Sequence, residues 1–157
     1  MARRYSVTGN CLNTASATLP LGNIVSTTAI RPRVYDFLLG SDAAAADNAA
    51  SYKLQRGTTV GTWAGSGGAA ITPKPLDMAD PAATFTANQG VCSAGPTLTS
   101  GEFLLGFAVN QRATFRWVAA PGGELVLPAT ASASLNLMSL VVGGSAVNTN
   151  FCFQVEE

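Results

Sequence analysis

The side chains that could do chemistry are few, and one type is missing. The chain has no histidine, which excludes Ser-His-Asp and Cys-His catalysis, histidine metal sites and histidine pH switches together. Carboxylates fall close in sequence as Asp36 and Asp42, Asp42 and Asp47, and Asp77 and Asp80. A glycosidase needs two carboxylates on opposite sides of a bond, one with a raised pKa. Asp42 and Asp80 have simpler uses, as a helix cap and as the opener of an Asp-Pro turn. An EF-hand loop alternates its carboxylates, with glycine sixth and glutamate twelfth. The segment Asp42-Ala-Ala-Ala-Ala-Asp-Asn48 does not follow that pattern. Gly65-Ser-Gly-Gly68 lacks the following Lys-Ser/Thr of a phosphate loop. Cys11, Cys92 and Cys152 are odd in number, widely spread and without a CxxC pair. They read as reduced, mostly buried thiols of a protein made in a cytoplasm, not as a disulfide framework or zinc site. No catalytic, cofactor-binding or metal-binding residue is assigned, and the chain reads as a non-enzyme.

Binding is the remaining chemistry. Nine basic and nine acidic residues cancel, so no global field draws the chain to nucleic acid or to an anionic membrane. Arg3 with Arg4 and Arg31 with Arg33 are pairs, not a basic tract. Tyr52, Trp63, Phe115 and Trp117 could stack on sugar rings if exposed. Trp117 alternates with Phe115 in a strand and reads as core. Trp63 lies in a glycine-rich loop, where either a partner or the loop's own packing must hold it. Arg3, Arg4 and Trp63 are therefore the candidate partner contacts. Arg56, Arg112 and Arg116 could pair with Asp36, Glu102 or Glu124 across strands.

The elements that must position these residues are strands. Charged residues are 11% of the chain, against about 25% in ordinary domains, while hydrophobic residues are 47%. The 157 residues suit one domain, residues 1–157, with a core of its own. Met1 to Asn10 has arginines but no apolar run, unlike a signal peptide, and no 18-residue apolar stretch suits a membrane helix. Period 2 recurs. Val147, Thr149, Phe151, Phe153 and Val155 share one strand face, with Asn148, Asn150, Cys152 and Gln154 on the other. Phe103, Leu105, Phe107 and Val109 share a face, as do Ala113, Phe115 and Trp117. Weaker strands cover 5–8, 24–28, 33–39, 52–60, 124–127 and 135–142. Eight to ten strands with Gly, Pro, Asn and Ser punctuation predict an all-β chain. Its fold is an antiparallel β-sandwich, jelly-roll-like, with long Gly/Pro-rich loops.

Three segments read otherwise. Residues 43–50 are the one helix candidate, too short for more than a single turn between strands. Residues 61–83 form a long, mostly irregular excursion, and 88–100 a second one. Residues 2–10 and 61–83 are expected to act as arms that become ordered on another subunit.

Two blocks carry a family likeness. One is Ile30-Arg-Pro-Arg-Val-Tyr-Asp-Phe-Leu-Leu-Gly-Ser-Asp42, running on through Tyr52-Lys-Leu-Gln-Arg56. The other is Asn110-Gln-Arg-Ala-Thr-Phe-Arg-Trp-Val-Ala-Ala-Pro-Gly-Gly-Glu-Leu-Val-Leu-Pro128. With the closing Glu156-Glu157, they resemble small virion-associated proteins of tailed bacteriophages, including capsid cement or decoration proteins. The likeness excludes 61–101 and rests on turns and strands. It implies a sandwich that assembles as a homotrimer on the outer capsid surface, with the major capsid protein as partner, after synthesis in the bacterial host cytoplasm. The alternative is a phage head-fibre or tail-associated module that grips glycans with exposed aromatics.

Overall fold

A computed structural model describes residues 2–42, 45–63 and 67–157. They contain twelve strands and no helix. In chain order these are β1 (Arg4–Leu12), β2 (Gly22–Val25), β3 (Arg33–Ser41), β4 (Ala49–Gly57), β5 (Ala69–Ile71) and β6 (Lys74–Pro75). They continue with β7 (Thr86–Gln89), β8 (Leu98–Asn110), β9 (Phe115–Val118), β10 (Leu125–Val126), β11 (Ser134–Val142) and β12 (Asn148–Glu156).

The strands form two antiparallel six-stranded sheets, and the fold is a β-sandwich. The first sheet runs β6-β1-β12-β3, with β9 and β10 both on the far side of β3. The second runs β5-β7-β2-β11-β4-β8. The pairing is nested. The first strand pairs with the last, β2 with β11, β3 with β9 and β10, and β4 with β8. The segment between β4 and β8 adds β5 and β7 to the edge of the second sheet and β6 to the edge of the first.

Period 2 explains the core. Val147, Thr149, Phe151, Phe153 and Val155 are all buried, as the alternation predicts. Phe37 and Phe153 of the first sheet lie 4.9 Å apart. Phe107 of the second sheet stacks at 3.8 Å on Phe115 of the first, so aromatic rings tie the two layers together. Gly9 and Gly22 face each other across the sandwich. A Cβ at either would overlap the ring of Phe151, so both layers give up a side chain to admit it.

Several expectations need correction. Residues 2–10 are not an arm: β1 is an interior strand between β12 and β6, with Tyr5 and Val7 fully buried. Of the helix candidate 43–50, Ala43 and Ala44 lie outside the described residues, while Ala49 and Ala50 begin β4. The excursion 61–83 contains two short sheet-edge strands, and 88–100 shares residues with β7 and β8. Phe115 and Trp117 are half-buried, not core, because β9 is a short flanking strand. Phe103 does not share the buried face of Leu105. A bulge between Leu54 and Gln55 shifts the register and turns Phe103 outward.

Candidate interaction surface

Two of the three predicted partner contacts are occupied within the chain. The Arg4 guanidinium meets Glu156 at 3.2 Å and lies 5.3 Å from the ring centre of Tyr35. Trp63 is only 6% exposed, and its Nε1 donates to the Val60 carbonyl at 2.9 Å. Of the two ways to hold this ring, the structure adopts the loop's own packing. Arg3 exchanges backbone hydrogen bonds with Glu157 and leaves its side chain exposed. Beside it, the buried Tyr5 hydroxyl donates its one proton to Glu157 at 2.9 Å, with the Pro81 carbonyl 3.1 Å away. Burial first, and then the Glu157 carboxylate, push the Tyr5 pKa up to about 12.

The carboxylates are dispersed in use. Asp36 receives a bidentate guanidinium from Arg116, at 2.5–3.2 Å. Glu102 meets Arg56 at 3.4 Å. Arg112 instead donates to the Ala45 carbonyl, and Glu124 accepts from the Gly122 amide. Asp42 accepts from Asn10, Asp47 from Asn110, and Asp77 caps the amide of Ala79. Among the described residues no three His, Cys, Asp or Glu side chains cluster as a metal site would need. Cys11 and Cys92 are buried free thiols, and burial raises the Cys11 pKa to about 11. Tyr52 is buried and its hydroxyl accepts from Asn13. Tyr52 and Trp63 therefore do not form an exposed platform for sugars.

A different surface emerges on the outer face of the second sheet. Residues paired across neighbouring strands point to the same side. Tyr52 and Leu54 face the core, so Ser51, Lys53 and Gln55 face outward. The pairing then sets out three rows: Val141–Ser51–Ala108, Met138–Lys53–Gly106 and Asn136–Gln55–Phe103.

One half of this face is covered. The segments around residues 58–63 and 92–99 bond to each other, as in Thr62 to Ala94 and Thr58 to Thr97. They lie over β2, β11 and β4. Asn23 donates to Val60, Ser134 to Thr59 and Gln55 to Thr99. Asn136 donates to Gln55 and Ser134 while accepting from Asn23. These polar side chains are buried because the covering chain offers carbonyls that need donors.

The other half is open. Phe103 is 58% exposed, Val141 59% and the bulged Leu140 39%. Ala108 and Gly106 are exposed beside them. Lys53 marks the boundary. Its stem is buried, its ammonium lies 4.2 Å from the centre of the Phe103 ring, and among the described residues no carboxylate pairs with it. Burial lowers its pKa.

The open face continues into the sheet edge. β8 is thirteen residues long and ends the strand order. Edge strands are normally guarded by charges, proline, bulges or shortness. The one charge in β8 is Glu102, already met by Arg56. Its bulges lie in the half that includes Phe103, whereas residues 105–110 pair with β4 in unbroken register. No sequence signal marks this surface, since the periodicity of Phe103 places it in the core. No family model matches the chain, and no curated protein matches it.

Proposed function

We propose that this is a non-enzymatic virion structural protein of the capsid cement or decoration type. As a homotrimer it binds the outer surface of the shell and stabilises it against the major capsid protein. The observation that carries the reading is the long, nearly uncharged β8 edge beside the exposed Phe103, Leu140 and Val141. An apolar face continuous with unpaired backbone favours a protein partner over a small solute. Each 100 Å² of apolar surface buried there contributes about 2.5 kcal/mol before ordering costs. The nested strand pairing supports a jelly-roll-like reading, an architecture that viral capsid and lectin domains use. The likeness of residues 30–56 and 110–128 to phage virion proteins supports the same direction. Fold alone does not assign function, so the surface bears the weight.

The test is co-sedimentation with capsids assembled without this protein. The parent pellets with the shells, while Phe103→Asp and Val141→Asp stay in the supernatant with unchanged circular dichroism. A parent that does not pellet, or variants that pellet equally, overturns the proposal. Sedimentation velocity of the free parent reads the trimer.

A further inference from the structure

A cavity lies at one end of the sandwich, away from the open Val141 row. It holds about 420 Å³, within the size range of small-ligand sites. Its walls come from the segment before β3, the end of β4, the start of β8 and the stretch from β10 to β11. Val126 and Pro128 supply an apolar floor above the buried Leu127, and Arg31 and Arg56 both reach its lining.

The two arginines differ in what they already hold. Arg56 is fixed by a hydrogen bond to the Val126 carbonyl at 3.1 Å, and its contact with Glu102 is long and half-exposed at 3.4 Å. Two of its five N–H donors are used in these contacts. Arg31 makes no ion pair or hydrogen bond among the described residues. Two guanidiniums against one carboxylate leave the cavity with one unmatched positive charge. Guanidinium groups prefer planar, bidentate anions. Glu102 repels a second negative charge, and the floor asks for an apolar body.

We infer that this cavity binds a monocarboxylate carried on a short apolar body, with Arg31 as the primary clamp, Arg56 as the secondary one and Glu102 as the internal competitor. The carboxylate displaces Glu102 from Arg56 while the body lies on Val126 and Pro128. The same chemistry is offered by a free organic acid and by the C-terminus of a peptide. The inference stands independently of shell binding, because it concerns the isolated protein.

The test uses N-acetyl-leucine as probe, followed by amide chemical shifts of the full chain. Saturable shifts at residues 126–128 and around Arg31 are expected. Arg31→Ala should weaken binding about tenfold or more, the worth of a lost charge-assisted hydrogen bond. That variant removes no internal contact, so its melting temperature should stay unchanged. Glu102→Gln should tighten binding, and N-acetyl-leucinamide should bind far more weakly than the acid. Inorganic phosphate should bind more weakly than the acid at a pH where it is dianionic. Hexanoate and a pentapeptide ending in free leucine separate the two sources. Tighter binding by either upholds the chemistry and names its carrier. Absence of saturable shifts, equal binding of the amide, or an unchanged Arg31→Ala variant overturns it.

Discussion

The outer face of the second sheet has a covered half and an open half, and in each the polarity of the side chains runs against their burial. Asn23, Ser134, Asn136 and Gln55 are polar and buried, while Phe103, Leu140 and Val141 are apolar and exposed. The covered half is roofed by irregular backbone, so donors beneath it satisfy carbonyls at Val60, Thr59 and Thr99. Apolar side chains there would leave those carbonyls unpaired. The open half has no roof from the described chain, and its side chains suit a roof from elsewhere. What covers a surface, rather than which residues line it, decides which chemistry belongs there.

Phe153→Ala removes a fully buried ring shared by both halves' common core, and should cost about 3–5 kcal/mol by chemical denaturation. A smaller loss would mean that the two layers do not depend on this contact. Asn136→Ala tests the polar layer beneath the roof. It takes the side-chain donor from the Gln55 carbonyl and from Ser134 in a buried site, while Asn23 keeps its bonds to Val60 and Asn88, which should cost about 1–3 kcal/mol. An unchanged denaturation midpoint would show that this polar layer does not depend on Asn136. Val141→Thr in the open half should alter stability by no more than about 0.5 kcal/mol, yet weaken pelleting with capsids.

The boundary residue gives the finest distinction, because it responds to pH. Burial lowers the Lys53 pKa, so the folded chain holds this proton less tightly than the unfolded one. Its destabilising contribution is present at neutral pH. It fades as pH rises through the lowered folded value toward the ordinary 10.5. The melting temperature of the parent, measured relative to Lys53→Met, should therefore climb on approach to pH 10.5. A flat difference would place the ammonium in water and move the boundary. Tyr5, present in both proteins, cancels in this difference. Its raised pKa stabilises the fold below about pH 10, and that stability is lost as pH climbs toward 12.

Much of the sandwich was legible as pattern. The face of β12 follows from its alternation residue by residue. The expectation that Arg56 and Arg116 meet carboxylates across strands was legible too, while the register chose Glu102 and Asp36 as the partners. The candidate surface was not legible. Phe103 reads as core by period 2, and only the bulge at Leu54/Gln55 reverses it. Arg4 reads as a partner contact and stays exposed beside Glu156 and Tyr35, while Trp63 takes the loop's own packing, one of the two alternatives its sequence left open. Residues 2–10 have the look of an arm because their alternation is short and small-residue-rich. Their place between β12 and β6 depends on residues about 150 and 70 positions away.

The sequence alone determined that the chain is all-β, which faces of most strands are apolar, and that no histidine chemistry is available. Those properties are local, since side-chain alternation and residue type are carried by a few consecutive positions. Tertiary structure alone decided strand order, the phase change at Phe103, the roof over Asn136 and the exposure of Val141. Each of these depends on pairing or covering by segments distant in the chain. A strand with one apolar face carries the same local pattern whether its other face meets water, a loop or another protein.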